Sequence, residues 1–283
     1  MSDNRRTITL LGTPLSQSFA ARMQNAAYAA MGEELRYTYT ETDETQLTAA
    51  VAKLRREDTP GFAVTKPNKV AVLTLLDELD PLCEKMGAAN TVVRLPNGKL
   101  RGYNTDGIGF YTALTRDMGM DVAGRSFFCV GAGGAGRAIC SVLAYHGAGK
   151  IYIADIRDTA ARTLTEEINQ KFTPVAHFVP CGDWSALGEC DCILNASGVG
   201  MGESVGVSPI PKEGLDAHQL CFDACYNPAM TQFLLDARER GCRVMNGLGM
   251  SLYQGVAQIE LWTGREAPVE VMRQELLDII SGK

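Results

Sequence analysis

Phe127-Phe128-Cys129-Val130-Gly131-Ala132-Gly133-Gly134-Ala135-Gly136 is the stretch that decides how the second half of this chain folds. Four apolar residues of strand length run straight into Gly-x-Gly-x-x-Gly, and residues 138–145 then read as a helix. In such a strand–turn–helix unit each glycine has its own task. One allows the tight turn, one lets backbone approach a pyrophosphate, and one lets helix and strand pack closely. The anion rests on the helix N-terminus, where N–H groups and the dipole favour negative charge. The next strand, 151–155, ends on Asp155, about 20 residues beyond the last glycine, where a ribose-binding carboxylate is expected. Gly131, Ala132, Gly133, Gly134, Ala135 and Asp155 are therefore the expected dinucleotide-binding residues. Asp155 would accept from both ribose hydroxyls and repel a 2′-phosphate, so NAD is expected ahead of NADP. Arg157, two residues on, is the group that would accommodate that phosphate.

Working outward, strands and helices alternate. After the strand at 126–130 come a helix at 134–146, a strand at 151–155 and a helix at 159–171. Further strands follow at 177–180, 192–195, 220–223 and 243–245, with a helix at 231–240. The first half reads the same way: strands at 7–11, 35–40 and 61–65, helices at 18–31 and 44–56, and helical stretches to about Met86. Residues 91–95 and 99–102 predict a hairpin across Pro96-Asn97-Gly98, since Asn-Gly is a strong turn signal. Such alternation implies an α/β chain with parallel sheets covered by helices. Two α/β units meet near 106–124. The closing helices, 251–262 and 269–280, have no strand partners of their own; returning to the first unit, they would put a cleft between two domains.

Bulk properties fit this reading. A length of 283 residues suits about two domains. A net charge of −6 with no basic run argues against nucleic acid. The polar start followed by a strand-length apolar run predicts no signal peptide, and no stretch reaches the roughly 18 apolar residues of a membrane span. A cytoplasmic protein, monomer or homodimer, is expected. The nine cysteines are scattered through apolar segments, as buried free thiols are. Cys190-Asp191-Cys192 lacks a second ligand pair, and with three histidines in the chain no metal is expected.

The first half carries a polar cluster at strand ends and loops, where ligand groups project. Lys69 follows Val64-Thr65-Lys66-Pro67-Asn68, Asn90 follows Gly87-Ala88-Ala89, and Asp106 lies in Asn104-Thr105-Asp106-Gly107. A lysine and an aspartate brought together form an acid–base pair. Taken singly, Asp106 reads as a helix N-cap.

Together these segments resemble the shikimate/quinate dehydrogenase family over nearly the whole chain. The residues carrying it are Gly12-Thr13-Pro14-Leu15-Ser16-Gln17-Ser18, Val64 to Lys69, Gly87-Ala88-Ala89-Asn90-Thr91-Val92 and Asn104-Thr105-Asp106-Gly107-Ile108-Gly109. They continue with Gly131 to Arg137, Asn195-Ala196-Ser197, Asp223-Ala224-Cys225-Tyr226-Asn227-Pro228 and Gly247-Leu248-Gly249-Met250-Ser251-Leu252-Tyr253-Gln254. The resemblance implies an N-terminal α/β substrate domain, 1–106 with the returning helices 247–283, and a Rossmann-type doubly wound NAD-binding domain, 107–246. It implies Lys69 as catalytic acid/base with Asp106 its partner. Ser18, Thr65, Asn90, Tyr226 and Gln254 match substrate contacts; Gly131 to Ala135, Asp155, Ala224 and Gly247 match the cofactor side. The implied substrate is a small cyclic hydroxy acid.

Departures fall on the substrate side. Where the family usually carries a second hydroxyl residue and a proline, this chain has Ala20 and Ala21; Ala63 replaces an asparagine, and Asn68 a histidine or phenylalanine. Losing a hydroxyl from a charged hydrogen bond costs about 1.5–3 kcal/mol. Ser16, Ser18 and Tyr226 remain to hold a carboxylate. The alternatives are a paralogue for a related hydroxy acid, or an NAD-binding sensor without turnover.

Overall fold

The computed structural model describes residues 6–16 and 18–281; Gln17 of the first motif and the polar start at 1–5 lie outside them. The chain divides into two compact units, Met1–Gly109 with Leu252–Lys283, and Phe110–Ser251.

In the first unit β1 (Arg6–Gly12) leads through α1 (Ala20–Met31) to β2 (Leu35–Glu41), which pairs parallel with β1. The helix begins at Ala20 rather than at Ser18. The Tyr39 hydroxyl donates to Ser18 O at 2.8 Å and accepts from Ala21 N at 2.9 Å, which holds residues 18 and 19 outside the helix. α2 (Glu44–Leu54) opens on a capping box: the Asp43 carboxylate takes the N–H groups of Thr45 and Gln46, and the Gln46 side chain returns to Asp43 N. β3 (Gly61–Val64) then lies parallel to β1. The helical stretch expected from there to Met86 is broken. It resolves into a 3₁₀ turn (Ala71–Leu75), β4 (Glu78–Leu79) and α3 (Pro81–Met86). Asp77 interrupts it by accepting from Arg55 and from Leu100 N, and Asp80 with Pro81 starts a new helix. A two-residue strand carries no period to read. β5 (Thr91–Arg94) and β6 (Leu100–Tyr103) form the expected hairpin. The sheet order is β2-β1-β3-β5-β6-β4, and Leu47, Val51, Phe62, Val92 and Leu100 build a core on it.

α4 (Thr105–Thr112) continues as one π-helical turn, Ala113–Asp117. The second unit is a fully parallel sheet. It runs β7 (Ser126–Val130), α5 (Gly134–Tyr145), β8 (Lys150–Ala154), α6 (Asp158–Lys171), β9 (Ala176–Phe178), β10 (Cys192–Asn195), β11 (Leu220–Asp223), α7 (Gln232–Glu239) and β12 (Arg243–Asn246). The order β9-β8-β7-β10-β11-β12 is that of the doubly wound dinucleotide fold, with its switch point between β7 and β10. β10 and β11 are buried at every residue, as strands covered on both faces must be. Eight cysteines are buried free thiols; the ninth, Cys181, is exposed, because it follows β9 in a surface loop. Asp191 of Cys190-Asp191-Cys192 is engaged by Arg125 and by Ser126 N. Among the described residues no group of three His, Cys, Asp or Glu is placed to hold a metal, and no helix is long and apolar enough to cross a membrane.

The closing helices, α8 (Leu248–Thr263) and α9 (Val269–Ile280), return to the first unit. Trp262 Nε1 donates to Val92 O at 2.9 Å. Gly61 leaves room for that indole: a Cβ there would lie 2.0 Å from Val92 O and 2.6 Å from Trp262 Nε1. Backbone and a buried ring cannot both yield. Gly61→Ala should therefore cost about 3 kcal/mol, the upper end of overpacking penalties, read as a lower urea midpoint.

Candidate active site

Lys69 and Asp106, 37 residues apart, meet in the first unit, with Lys69 Nζ 2.6 Å from Asp106 Oδ2. The lysine's backbone is set by two neighbours. Asn68 is buried and donates Nδ2 to Thr42 O at 2.7 Å, which ties the turn after β3 to the start of α2. Ala89 N donates to Lys69 O at 2.8 Å. Asn90 follows at once, donating Nδ2 to the other Asp106 oxygen, Oδ1, at 2.9 Å. Asp106 is not the helix cap that its type suggested. Asn104 Oδ1 accepts from Gly107 N at 3.4 Å, and Asp106 stands in the first turn of α4 with its carboxylate turned to Lys69 and Asn90. The side chains of the pair are 30% and 13% exposed, so the attraction is offset by the cost of taking both charges partly out of water. The chemical consequence is larger: an ammonium aimed by a fixed carboxylate can give and take a proton at one place.

The other expected substrate residues of this unit are less engaged. Thr65 is half-buried just past β3, Ser16 is exposed, and Gln254 is half-buried on α8. Ser18 Oγ accepts from Ala20 N at 3.4 Å. Among the described residues none of these four hydrogen-bonds to Lys69, Asn90 or Asp106. Ala63 is buried within β3, opposite Thr91. Sequence reasoning missed Glu41, whose Oε1 accepts from Leu15 N at 2.9 Å and so anchors the serine loop; its position at a strand end is a weak signal alone.

In the second unit the glycine loop has the close approaches its residues predict. Gly131 has φ 109°, and a Cβ there would sit 2.5 Å from Ala196 C, after β10. At Gly136 it would be 1.8 Å from Gly131 O. Gly133 caps α5 without a side chain, and Gly134 and Ala135 begin that helix. Asp155 Oδ2 accepts from Ala132 N at 2.8 Å and Oδ1 from Arg157 N at 2.9 Å. One loop N–H is thus committed to Asp155. Arg157 is 71% exposed and keeps its Nε 3.7 Å from Asp155. A cavity of about 510 Å³ is lined by Gly131, Gly133, Asp155, Arg157, Trp184 and Ser197. Trp184 was not anticipated, because it lies in an irregular segment without periodic pattern.

Ala224, Gly247 and Tyr226 belong to this unit too. A Cβ at Gly247 would stand 2.1 Å from Ala224 O, so the two backbones touch. Tyr226 is half-buried, and burial raises its phenol above the usual tyrosine range. Asp223 ends β11 fully buried. Its Oδ1 accepts from Asn195 Nδ2 and Cys225 N, both at 2.9 Å, and its Oδ2 from Thr231 Oγ1 at 2.6 Å. Burial nevertheless holds its carboxyl above the usual aspartate value.

Comparisons with known proteins converge. A family model described as the shikimate dehydrogenase substrate binding domain matches residues 10–92, and one described as the shikimate 5′-dehydrogenase C-terminal domain matches residues 247–277. A relative from Moorella thermoacetica, named shikimate dehydrogenase (NADP(+)), is 40% identical over 272 residues, 95% of this chain and 92% of its own. The crystal structure of shikimate 5-dehydrogenase from Listeria monocytogenes, in complex with shikimate and NAD, is 35% identical, with a TM-score of 0.92 and 96% of each chain covered. The ligand-free 5-ketofructose reductase of Gluconobacter sp. strain CHM43 is 32% identical, with a TM-score of 0.88, covering 97% of this chain and 99% of its own.

Asp223 also makes a testable contribution to stability. A raised value means that the folded chain holds this proton more tightly than the unfolded chain. The stability so gained is full below the ordinary aspartate range and is lost as pH rises through the raised value. Asp223→Asn keeps Oδ1 for Asn195 and Cys225 and turns Nδ2 to Thr231, whose hydroxyl then accepts instead of donating. Its urea midpoint should gain on the wild type progressively as pH rises above the ordinary aspartate range, about pH 4. A difference constant with pH would rule out the buried charge.

Proposed function

The chain belongs to the shikimate dehydrogenase family, a family of NAD(P)-dependent oxidoreductases acting on a CH–OH group, and on that premise we propose that it interconverts a ring hydroxyl and a ketone on a cyclic polyol carboxylate, with Lys69 as acid/base. The observation that carries this reading is the Lys69–Asp106 pair with Asn90 behind it. In the oxidation direction Lys69 takes the hydroxyl proton as the C–H bond breaks, and passes it to solvent. Asp106 aims the ammonium and stabilises it once formed. Asn90, Thr65, Ser16, Ser18, Gln254 and Tyr226 are the proposed substrate contacts. The nicotinamide, when bound, supplies the hydride acceptor. Gly131 to Ala135 suit its pyrophosphate: a Cβ at Gly131 would collide with Ala196 and spoil the turn, while a Cβ at Gly133 or Gly134 would meet no protein atom and stand in the open space at the start of α5; Ala224 and Gly247 complete the cofactor side.

Two finer points belong to this reading. Asp155 at the cavity favours NAD, because a carboxylate there repels a 2′-phosphate. NADP is the second reading, favoured by Arg157 in the same lining and by the name of the Moorella relative. On the substrate side, Ala20 removes a hydroxyl next to Ser18. That favours, as a second reading, a related hydroxy acid or a ketose such as the Gluconobacter relative's name describes.

Lys69→Ala should lower turnover by about 10²–10⁴-fold while NADH affinity, read by fluorescence titration, is unchanged. Near-normal turnover would sink the assignment. Steady-state kinetics with shikimate, quinate and 5-ketofructose should rank shikimate or quinate first and NAD(H) over NADP(H). Asp155→Ser should move the cofactor ratio toward NADP by about tenfold or more, the equivalent of roughly 1.4 kcal/mol. An unchanged ratio removes Asp155 from the selection.

A further inference from the structure

Gln258 stands one helical turn beyond Gln254 on α8 and is only 4% exposed. A methionine of similar volume would fill that space without requiring partners. The amide instead joins two elements. Its Oε1 accepts from Gln24 Nε2, on α1, at 3.0 Å, and its Nε2 donates to Thr91 Oγ1, on β5, at 3.0 Å.

The direction of the bonds beyond Thr91 is what matters. Having accepted one proton, Thr91 Oγ1 sends its own onward, to Asn90 Oδ1 or to Thr105 Oγ1, each at 3.0 Å. Thr105 gives its N–H to the same Asn90 Oδ1 at 2.7 Å and its hydroxyl at 3.1 Å. Asn90 Oδ1 is thereby filled with donors. Its Nδ2 must point the other way, to Asp106 Oδ1 at 2.9 Å, while Asp106 Oδ2 holds Lys69. Thr91 and Thr105 are fully buried and Asn90 almost so, and buried polar groups depend on their protein partners. A reversed Asn90 amide would put its oxygen against a carboxylate.

We propose that Gln258 is a positioning residue for the Lys69–Asp106 pair, setting through Thr91 and Thr105 the amide of Asn90 that braces the carboxylate. The proposal rests on the reading of that pair as the acid–base machinery. It makes the returning helix α8 part of how the first unit aims its lysine, although Gln258 touches neither group. Oriented neighbours matter to rate because small misplacements of reacting groups are expensive.

The test pairs kinetics with a readout that needs no substrate. Gln258→Met and Thr91→Val should each lower kcat about tenfold with KM within about twofold. The double variant should lose no more than the worse single one, since both cut the same chain. Thr91→Ser should restore kcat. Trp262→Phe, which deletes the Nε1–Val92 O bond between the same helix and strand, should lower the melting temperature and leave kcat within about twofold. Acetic anhydride labelling of Lys69, measured by mass spectrometry against the 73% exposed Lys53, should rise about threefold in Gln258→Met and Thr91→Val, because a lysine less firmly held by its carboxylate is more open to the reagent. It should not rise in Trp262→Phe. Wild-type labelling and kcat in Gln258→Met would overturn the proposal; if that variant fails to fold, the same outcome in Thr91→Val does so. A labelling change in a chain that turns over no polyol would uphold the relay and discard the functional reading.

Discussion

The constraint on which the first unit depends is a single carboxylate with two masters. Asp106 must present one oxygen to Lys69 at 2.6 Å and the other to Asn90 at 2.9 Å. Three separate elements have to deliver those atoms: the turn after β3, the start of β5 and the first turn of α4. Asparagine side chains bonded to backbone hold them. Asn68 fastens the first turn to Thr42, and Asn104 both caps α4 and donates to Ala88 O at 2.9 Å. The asparagines of these motifs act less as ligands than as joints. They hold loops whose backbone groups no sheet or helix satisfies.

The second unit solves a different problem, how to bring backbone close to a charged ligand. Its answer is removal of side chains. Gly131 lies against Ala196 and Gly136 against Gly131, so the loop closes over the ends of β7 and β10 with no Cβ between. This is the place where strand order reverses and adjacent connections part, leaving a crevice. Asp155 ties the loop to β8 by taking Ala132 N, so the residue proposed to choose the cofactor also shapes the loop that receives it.

Much of this was legible beforehand. The glycine loop, the βα alternation and the Asn-Gly hairpin are local signals with local causes, and they appear where the residues put them. The Lys69–Asp106 pairing was readable as a possibility from residue types and from the resemblance. What escaped were matters settled by distant partners. β4 is too short to have a period. Asp106 looked like a cap because its neighbours in sequence say nothing of Lys69. Trp184, Cys181 and Glu41 lie in irregular chain or at a strand end, where no pattern marks them. Gln258 reads as one more polar residue in an amphipathic helix until Thr91 is seen beside it.

The seating of Trp262 against Gly61 and Val92 O bears on how the molecule is made. The second unit is one unbroken run of chain, Phe110–Ser251, whereas the first is closed by residues made after that run. During synthesis the parallel sheet can therefore be complete while the earlier sheet still lacks the helix that covers it. Chains this long acquire their domains as units during translation. Here the first unit to be begun is finished after the second, and the seat at Gly61 waits uncovered until α8 arrives.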